Sequence, residues 1–298
     1  MSVTSAAAPT PQSIAAVGAT LGEGPAWDGA RNCVWFVDIK QHRLYQYMPA
    51  NGALQSWKAP DQIGWALPAA DGSLITGIKG GLYRFDPTSQ TFTLLTPVEA
   101  GLPGNRLNDA TCDFDGAIWF GSMDDSEQHD SGHIYRYAHG AITNSGLPPV
   151  CITNGPALSP DGKTLYHVDT KGRRMYASTL DANHVPRSTR LFAAIEDGAG
   201  YPDGPTVDSE GCVWTGMFAG WSVRRYDPNG KLLAVVRLPV ANVTKVAFGG
   251  ADLKTAYVTT ARMGLSAAEL AAQPEAGNLF SFSVNVPGLA IAPVADAT

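Results

Sequence analysis

The chain has 298 residues, with 21 basic against 27 acidic side chains, a formal charge of −6 and 44% hydrophobic residues. That balance describes a globular chain with a sizeable core, and it excludes disordered and fibrous classes. No Lys/Arg cluster stands out for a nucleic acid partner, and no run approaches the roughly 18 apolar residues of a membrane helix.

The opening MSVTSAAAPTPQS has neither the basic nor the continuous apolar region of a signal peptide. Residues 1–12 read as a flexible tail. Four cysteines (Cys33, Cys112, Cys151, Cys212) without C-x-x-C spacing read as reduced, buried thiols, which suits a cytoplasmic protein. Ser13–Thr20 is a strand that belongs to no unit of its own. A repeat then begins. Its middle strands are Val34–Val37, Leu74–Thr76, Ile118–Phe120, Leu165–Val168, Val213–Thr215 and Ala256–Val258. Taking residues 35, 75, 119, 166, 214 and 257 as markers, the steps are 40, 44, 47, 48 and 43. Third strands follow, such as Leu82–Phe85, Ile134–Tyr137 and Leu279–Phe282, with the apolar–polar alternation of half-buried strands. Asp86, Asp161 and Asp227 sit in turn sequences. The one helix signal is SAAELAA at Ser266–Ala272, with Ser266 as N-cap. No 10–15-residue amphipathic helical pattern separates the strands, so a βαβ fold is excluded.

Units of roughly 40–50 residues with several strands each predict an all-β protein, a six-bladed β-propeller of four-stranded antiparallel blades over residues 13–290. One blade cannot bury both faces, so the ring must close. Ser13–Thr20 is predicted to close it as the outer strand of the last blade. A closed ring leaves few sheet edges, and a monomer is expected.

Three units open their first strand with nearly the same tripeptide: Glu23-Gly24-Pro25, Asn154-Gly155-Pro156 and Asp203-Gly204-Pro205. A fourth offers Asn108-Asp109-Ala110. Counting back seven residues from the turns at Ala30, Asp71, Asp115, Asp161, Glu210 and Asp252 gives Glu23, Gly64, Asn108, Asn154, Asp203 and Lys245. First strands line a propeller's channel, so these positions form a ring at one mouth. Carboxylates held together repel unless a positive charge sits between them. An all-oxygen donor set suits a hard or borderline divalent cation more than zinc. The same triplets are also ordinary turn sequences. Lys245 is a second candidate for neutralising the carboxylates. Arg106, two residues before Asn108, is a candidate to clamp a ligand oxygen or an ordinary surface arginine. Tyr201 and Trp65 are candidates for an apolar wall or for blade packing, and His167 and Asp169 read as structural. No G-x-S-x-G supports a serine nucleophile.

The segments Leu21–Pro25, Phe36–Ile39, Arg106–Asp109, Trp119–Met123, Ile152–Pro156 and Tyr201–Gly204 resemble, in order and spacing, the motifs of the SMP-30/gluconolactonase/regucalcin-like family across about residues 15–285. The stretches APDQ (59–62), CITNGPALSPDGKTLYHVDT (151–170) and NVTKVAFGGADLKTAYVTTAR (242–262) resemble bacterial xylonolactonases. The resemblance implies a lactonase acting on a small sugar lactone, a pentonolactone such as D-xylonolactone first. It implies one divalent metal ion (Fe²⁺, Zn²⁺, Mn²⁺ or Ca²⁺) held by Glu23, Asn154 and Asp203, with Arg106 and Asn108 binding substrate. Asp203, a ligand beside the water site, is the expected general base. Leu107 stands where the family often has proline. An acidic residue after Met123 binds sugar in some members; here Asp124, Asp125 and Glu127 crowd that region, and no single one is assigned. Two other readings use the same fold: a calcium-dependent esterase or phosphotriesterase, and a non-catalytic binding propeller.

Overall fold

The computed structural model describes residues 10–295. Twenty-four strands form six four-stranded antiparallel sheets, arranged as the six blades of a β-propeller. The first blade comprises Gly22–Asp28, Cys33–Asp38, Arg43–Met48 and Ala53–Lys58, from the channel outward. The second, third, fourth and fifth blades open on Ile63–Pro68, Asn105–Cys112, Thr153–Leu158 and Tyr201–Val207. The sixth holds Asn242–Gly249, Thr255–Ala261 and Leu279–Ser283, and its outer strand is Gln12–Ala15 from the other end of the chain. The closing strand is therefore the predicted one, shorter and beginning one residue earlier. Residues 1–9 of the expected tail lie outside the described residues.

Burial falls outward across a blade. Cys33–Asp38 is buried at every position, whereas Ala53–Lys58 is almost wholly exposed. Second strands lie between neighbouring blades, so both of their faces are apolar. Trp35, Ile63 and Phe85 join the first two blades, and Trp65, Ile118 and Phe120 the next pair. At the closing seam Val34, Phe36, Tyr257 and Leu279 pack together. Each such fully buried side chain contributes about 1.5–3 kcal/mol of transfer free energy. The aspartates of the first-to-second-strand turns tie down this packing: Asp28 and Asp208 accept the indole N–H of Trp35 at 3.1 Å and of Trp214 at 2.8 Å.

The one described helix, Ala267–Ala272, carries the Ser266 cap and a capping box with Glu269. The chain beyond Val284 crosses the far face of the ring. Ser209 N–H donates to Pro287 C=O and Gly288 N–H to Leu253 C=O. Val294 pairs with Ala69, and Ala295 N–H donates to Gly116 C=O.

All six channel-lining strands share one irregularity. The register slips at Glu23/Ala26, Ile63/Trp65, Leu107/Ala110, Asn154/Ala157, Pro202/Pro205 and Val243/Val246. Bulges re-aim side chains and bend a strand, and here they coincide with the ring positions. Gly24 and Gly155 follow ring residues with φ of +53° and +79°, a backbone that favours glycine.

The strand pairing also corrects one ring member. Trp35, Ile75, Trp119, Tyr166 and Trp214 face Ala26, Leu67, Thr111, Ala157 and Thr206, each four residues before its turn position. Tyr257 faces Ala247, five residues before Asp252. That extra residue places Thr244 at the ring position and Lys245 one residue past it.

Candidate active site

A cavity of about 290 Å³ opens at the mouth where the first strands begin. Glu23, Arg106, Asn108, Asn154 and Asp203 all line it, so strands from four blades bring the expected residues together. Leu21, Met123, Ile152, Phe218 and Tyr201 add an apolar wall. Trp65 is absent from that wall. It is 1% exposed within the core between the second and third blades, where its indole fills the space a side chain at Gly77 would occupy.

Glu23 and Asp203 are buried, and each accepts one hydrogen bond, at 3.0 Å, from the amide that follows it, Gly24 and Gly204. Neither has a salt-bridge partner among the described residues. Burial, and then the charge of Asp109, push the Glu23 carboxyl up to about 8 against the pull of Gly24, Lys245 and Arg106. Burial, with the charges of Glu23 and Asp109, holds Asp203 well above the usual carboxylate range. Each therefore keeps one oxygen without a hydrogen-bond donor beside a cavity.

Asn154 supplies a third oxygen. Its Nδ2 donates to Thr170 Oγ1 at 2.9 Å, and Thr170 Oγ1 donates onward to Pro202 C=O at 2.9 Å. The amide orientation is thereby fixed, and Oδ1 accepts from Asn108 Nδ2 at 3.1 Å. No group of three or more His, Cys, Asp and Glu side chains suited to a metal gathers among the described residues. The oxygen set here is two carboxylates and one amide.

Arg106 is 3% exposed. Its Nε donates to Asp125 at 3.0 Å and its Nη1 to Asn108 Oδ1 at 2.6 Å, while Nη2 carries no hydrogen bond among the described residues. Burial lowers the guanidinium's proton affinity, and Asp125 and Glu23 oppose that effect. Asp125 also accepts from Lys40 and from Gln62, both at 2.7 Å. Burial alone would raise its carboxyl. These hydrogen bonds and the Arg106 and Lys40 charges outweigh it and hold Asp125 down at about 2.

The crowded acidic loop divides its work. Asp124 accepts from Ser126 Oγ and from the amides of Gln128 and His129, which shapes the loop. Asp125 holds Arg106. Glu127 lines the cavity, and its carbonyl accepts from Lys171 Nζ at 2.5 Å. Of Asp125, Thr170 and Lys171, sequence reasoning named only the first, among the unassigned acidic residues after Met123, and missed the other two. All three lie in loops outside the repeat's register, and only the position of Asp125 just after Gly121-Ser122-Met123 offered a signal. His167 is structural, as expected: it is buried, hydrogen-bonded to Ser178 at 3.0 Å, and burial lowers its pKa to about 4. Asp169 caps the amide of Gly172 at 2.9 Å.

The family model described as SMP-30/Gluconolactonase/LRE-like region matches residues 21–262. A 6-deoxy-6-sulfogluconolactonase of Pseudomonas putida is 34% identical over 91% of this chain and 93% of its own length. An L-arabinolactonase of Azospirillum brasilense is 34% identical over 92% and 91%. Among solved structures, a calcium-binding protein, regucalcin, from Agrobacterium tumefaciens superposes with a TM-score of 0.91 at 30% identity, covering 97% of both chains. With the family model spanning most of the chain and relatives matched nearly end to end, the protein belongs to the SMP-30/gluconolactonase family.

Proposed function

We propose that the protein is a lactonase that hydrolyses a sugar-acid (aldono) lactone to the aldonic acid, with one divalent cation held by Glu23, Asn154 and Asp203. The observation that carries this reading is the pair of buried carboxylates without a cationic partner, set beside an oriented amide oxygen in a small cavity. Two buried like charges are compatible when a positive charge lies between them. The donor set fits the group: it is all oxygen, which suits Ca²⁺, Mn²⁺ or Fe²⁺ and is less natural for Zn²⁺. The calcium-binding regucalcin neighbour supports a divalent cation. A cavity of about 290 Å³ lies at the small end of ligand pockets and suits one monosaccharide lactone. The named activities of the two 34% relatives support that substrate class. Within it, a pentonolactone such as D-xylonolactone is our first choice.

A divalent cation bound there supplies Lewis-acid polarisation of the lactone carbonyl. The rest falls to the chain. Arg106, held by Asp125 and Asn108, donates from Nη2 to the carbonyl or a ring hydroxyl and fixes the substrate's orientation. Asp203 accepts a proton from the attacking water at Oδ2, the oxygen without a hydrogen bond, as the water oxygen bonds to the carbonyl carbon. The ring C–O bond then breaks, and the departing ring oxygen takes that proton and becomes a hydroxyl. One water is added and nothing else is consumed.

The test is hydrolysis of a lactone panel, with an aryl ester and an organophosphate alongside, by chelator-stripped protein with single divalent cations restored and the spontaneous rate subtracted. Cation-restored turnover of an aldonolactone, lost in Asp203→Ala, is the expected result. Faster turnover of the aryl ester or organophosphate would replace the reading with an esterase. No rate above blank with any cation would leave a binding propeller.

A further inference from the structure

Below the three proposed ligands lies a second charge arrangement that the reaction does not use. Lys245 is buried, and it crosses the channel from the sixth blade to the third. Its ammonium pairs with Asp109 Oδ1 and donates to Ala110 C=O at 3.0 Å. The other oxygen of Asp109 accepts the amide of Gly155 at 2.9 Å, the residue after Asn154. The lysine stem runs against Gly204, the residue after Asp203, where an added Cβ would lie 2.7 Å from both Cγ and Cδ. Three buried carboxylates, Glu23, Asp109 and Asp203, thus share the channel, and among the described residues Lys245 is the only cation forming a salt bridge to any of them. The charge of Lys245 reaches Glu23 and Asp203 as well.

We infer that Lys245 is a built-in cation of the channel, filling the place a second divalent ion would take beneath the site and setting how tightly the first is held. This rests on the metal reading above. With Lys245 neutralising Asp109, the two remaining carboxylates balance one divalent charge. Without the lysine, the site carries one negative charge too many. Without the Asp109 charge, it carries one positive charge too many. Removing either partner therefore moves cation affinity, in opposite directions. A purely structural strut would move it in the same direction, because either loss disturbs the backbone around Gly155 and Gly204.

The experiment counts Ca²⁺ and Mn²⁺ bound to the full chain, and their affinities, by competition with a chromophoric chelator, with Tm recorded for each variant. Wild type is expected to bind one ion. Lys245→Met should bind it tighter by on the order of tenfold, or bind a second, and Asp109→Asn should bind weaker by a similar factor. The double variant should return to within about threefold of wild type, as a coupled pair requires. If Lys245→Met does not fold, the double variant must still bind tighter than Asp109→Asn. Single variants that shift affinity in the same direction, a folded Lys245→Met with unchanged affinity, or a double variant no tighter than Asp109→Asn would each overturn the inference. A wild type that binds no ion would remove the metal reading and this one with it.

Discussion

The side-chain amide of Asn108 donates to the side-chain oxygen of Asn154 at 3.1 Å, which joins an expected substrate residue to an expected cation ligand. The connection extends both ways. Arg106 donates to Asn108, Asp125 accepts from Arg106, and Asn154 donates through Thr170 to the backbone of Pro202. The proposed substrate clamp and the proposed cation ligand thus share one hydrogen-bonded relay across the third, fourth and fifth blades.

Asn108→Ala should therefore damage both functions. The expected result is a fall in kcat/KM and a weaker divalent affinity, each on the order of 10–100-fold, as for partners that orient metal ligands. The sequence alone suggests a substrate defect with the metal retained. Steady-state kinetics beside chelator competition separate the two outcomes: full cation affinity in Asn108→Ala would show that Asn154 does not depend on the relay.

Asp125 ties the relay to the rim, and its depressed pKa gives a pH signature. A carboxylate lowered on folding stabilises the protein above its unfolded pKa, near 3.9, and loses that contribution as pH falls through the folded value of about 2. Thermal melts of wild type and Asp125→Asn should therefore differ by a constant amount from pH 7 to about 4, and the gap should narrow below that. At neutral pH the variant should also lose on the order of tenfold in kcat/KM, because Arg106 loses its anchor. A gap that persists undiminished at pH 2.5 would place the stabilisation elsewhere.

The blade repeat was legible because second strands are buried on both faces and five of the six carry an aromatic marker, so Trp35, Trp119, Tyr166, Trp214 and Tyr257 recur at blade spacing, with Ile75 standing in for the second blade. Glu23, Asn108, Asn154 and Asp203 were legible because a shared bulge fixes their place relative to those markers. Lys245 was misplaced by one extra turn residue, an insertion that strand pairing reveals and counting does not. Its partner Asp109 lies 136 residues away, a separation that no local pattern spans. Trp65, beside Gly64, reads equally as cavity wall or blade packing in the sequence, and its buried indole at the blade interface decides for packing. Asp125 comes from a loop of the third blade and Thr170 and Lys171 from a loop of the fourth, and their partners Arg106, Asn154 and Glu127 lie 16 to 44 residues away.

Ring closure itself is open to test. Gln12–Ala15 covers the edge of Leu279–Ser283, and an uncovered edge strand is a template for association. A chain starting after Ala15 should melt roughly 5 °C lower or more and should form higher-order species in light scattering. An unchanged Tm with a clean monomer peak would mean that the seam between Val34, Phe36 and Tyr257 closes the ring unaided.

The C-terminal segment makes a different prediction, because it crosses the ring at the opposite end from the cavity. Glu23 is the second residue of the first blade's inner strand and Asp28 ends it, so the first-to-second-strand turns lie almost a full strand away from the site. The segment engages four of those turn regions, at Ser209, Leu253, Ala69 and Gly116. It thereby links the fifth and sixth blades to the second and third. Gly116 has a φ of +83°, and an added Cβ would lie 2.5 Å from the Cβ of Ala295. Both the backbone and the space there oppose a side chain. Gly116→Val should lower Tm, and truncation after Val284 should lower it further, while kcat/KM stays within about twofold since no cavity residue is touched. A truncated chain that melts like wild type would show that inter-blade packing alone holds the ring. A large loss of kcat/KM with Tm unchanged would instead reveal coupling through the channel, for which Lys245 and Asp109 are the residues in the path.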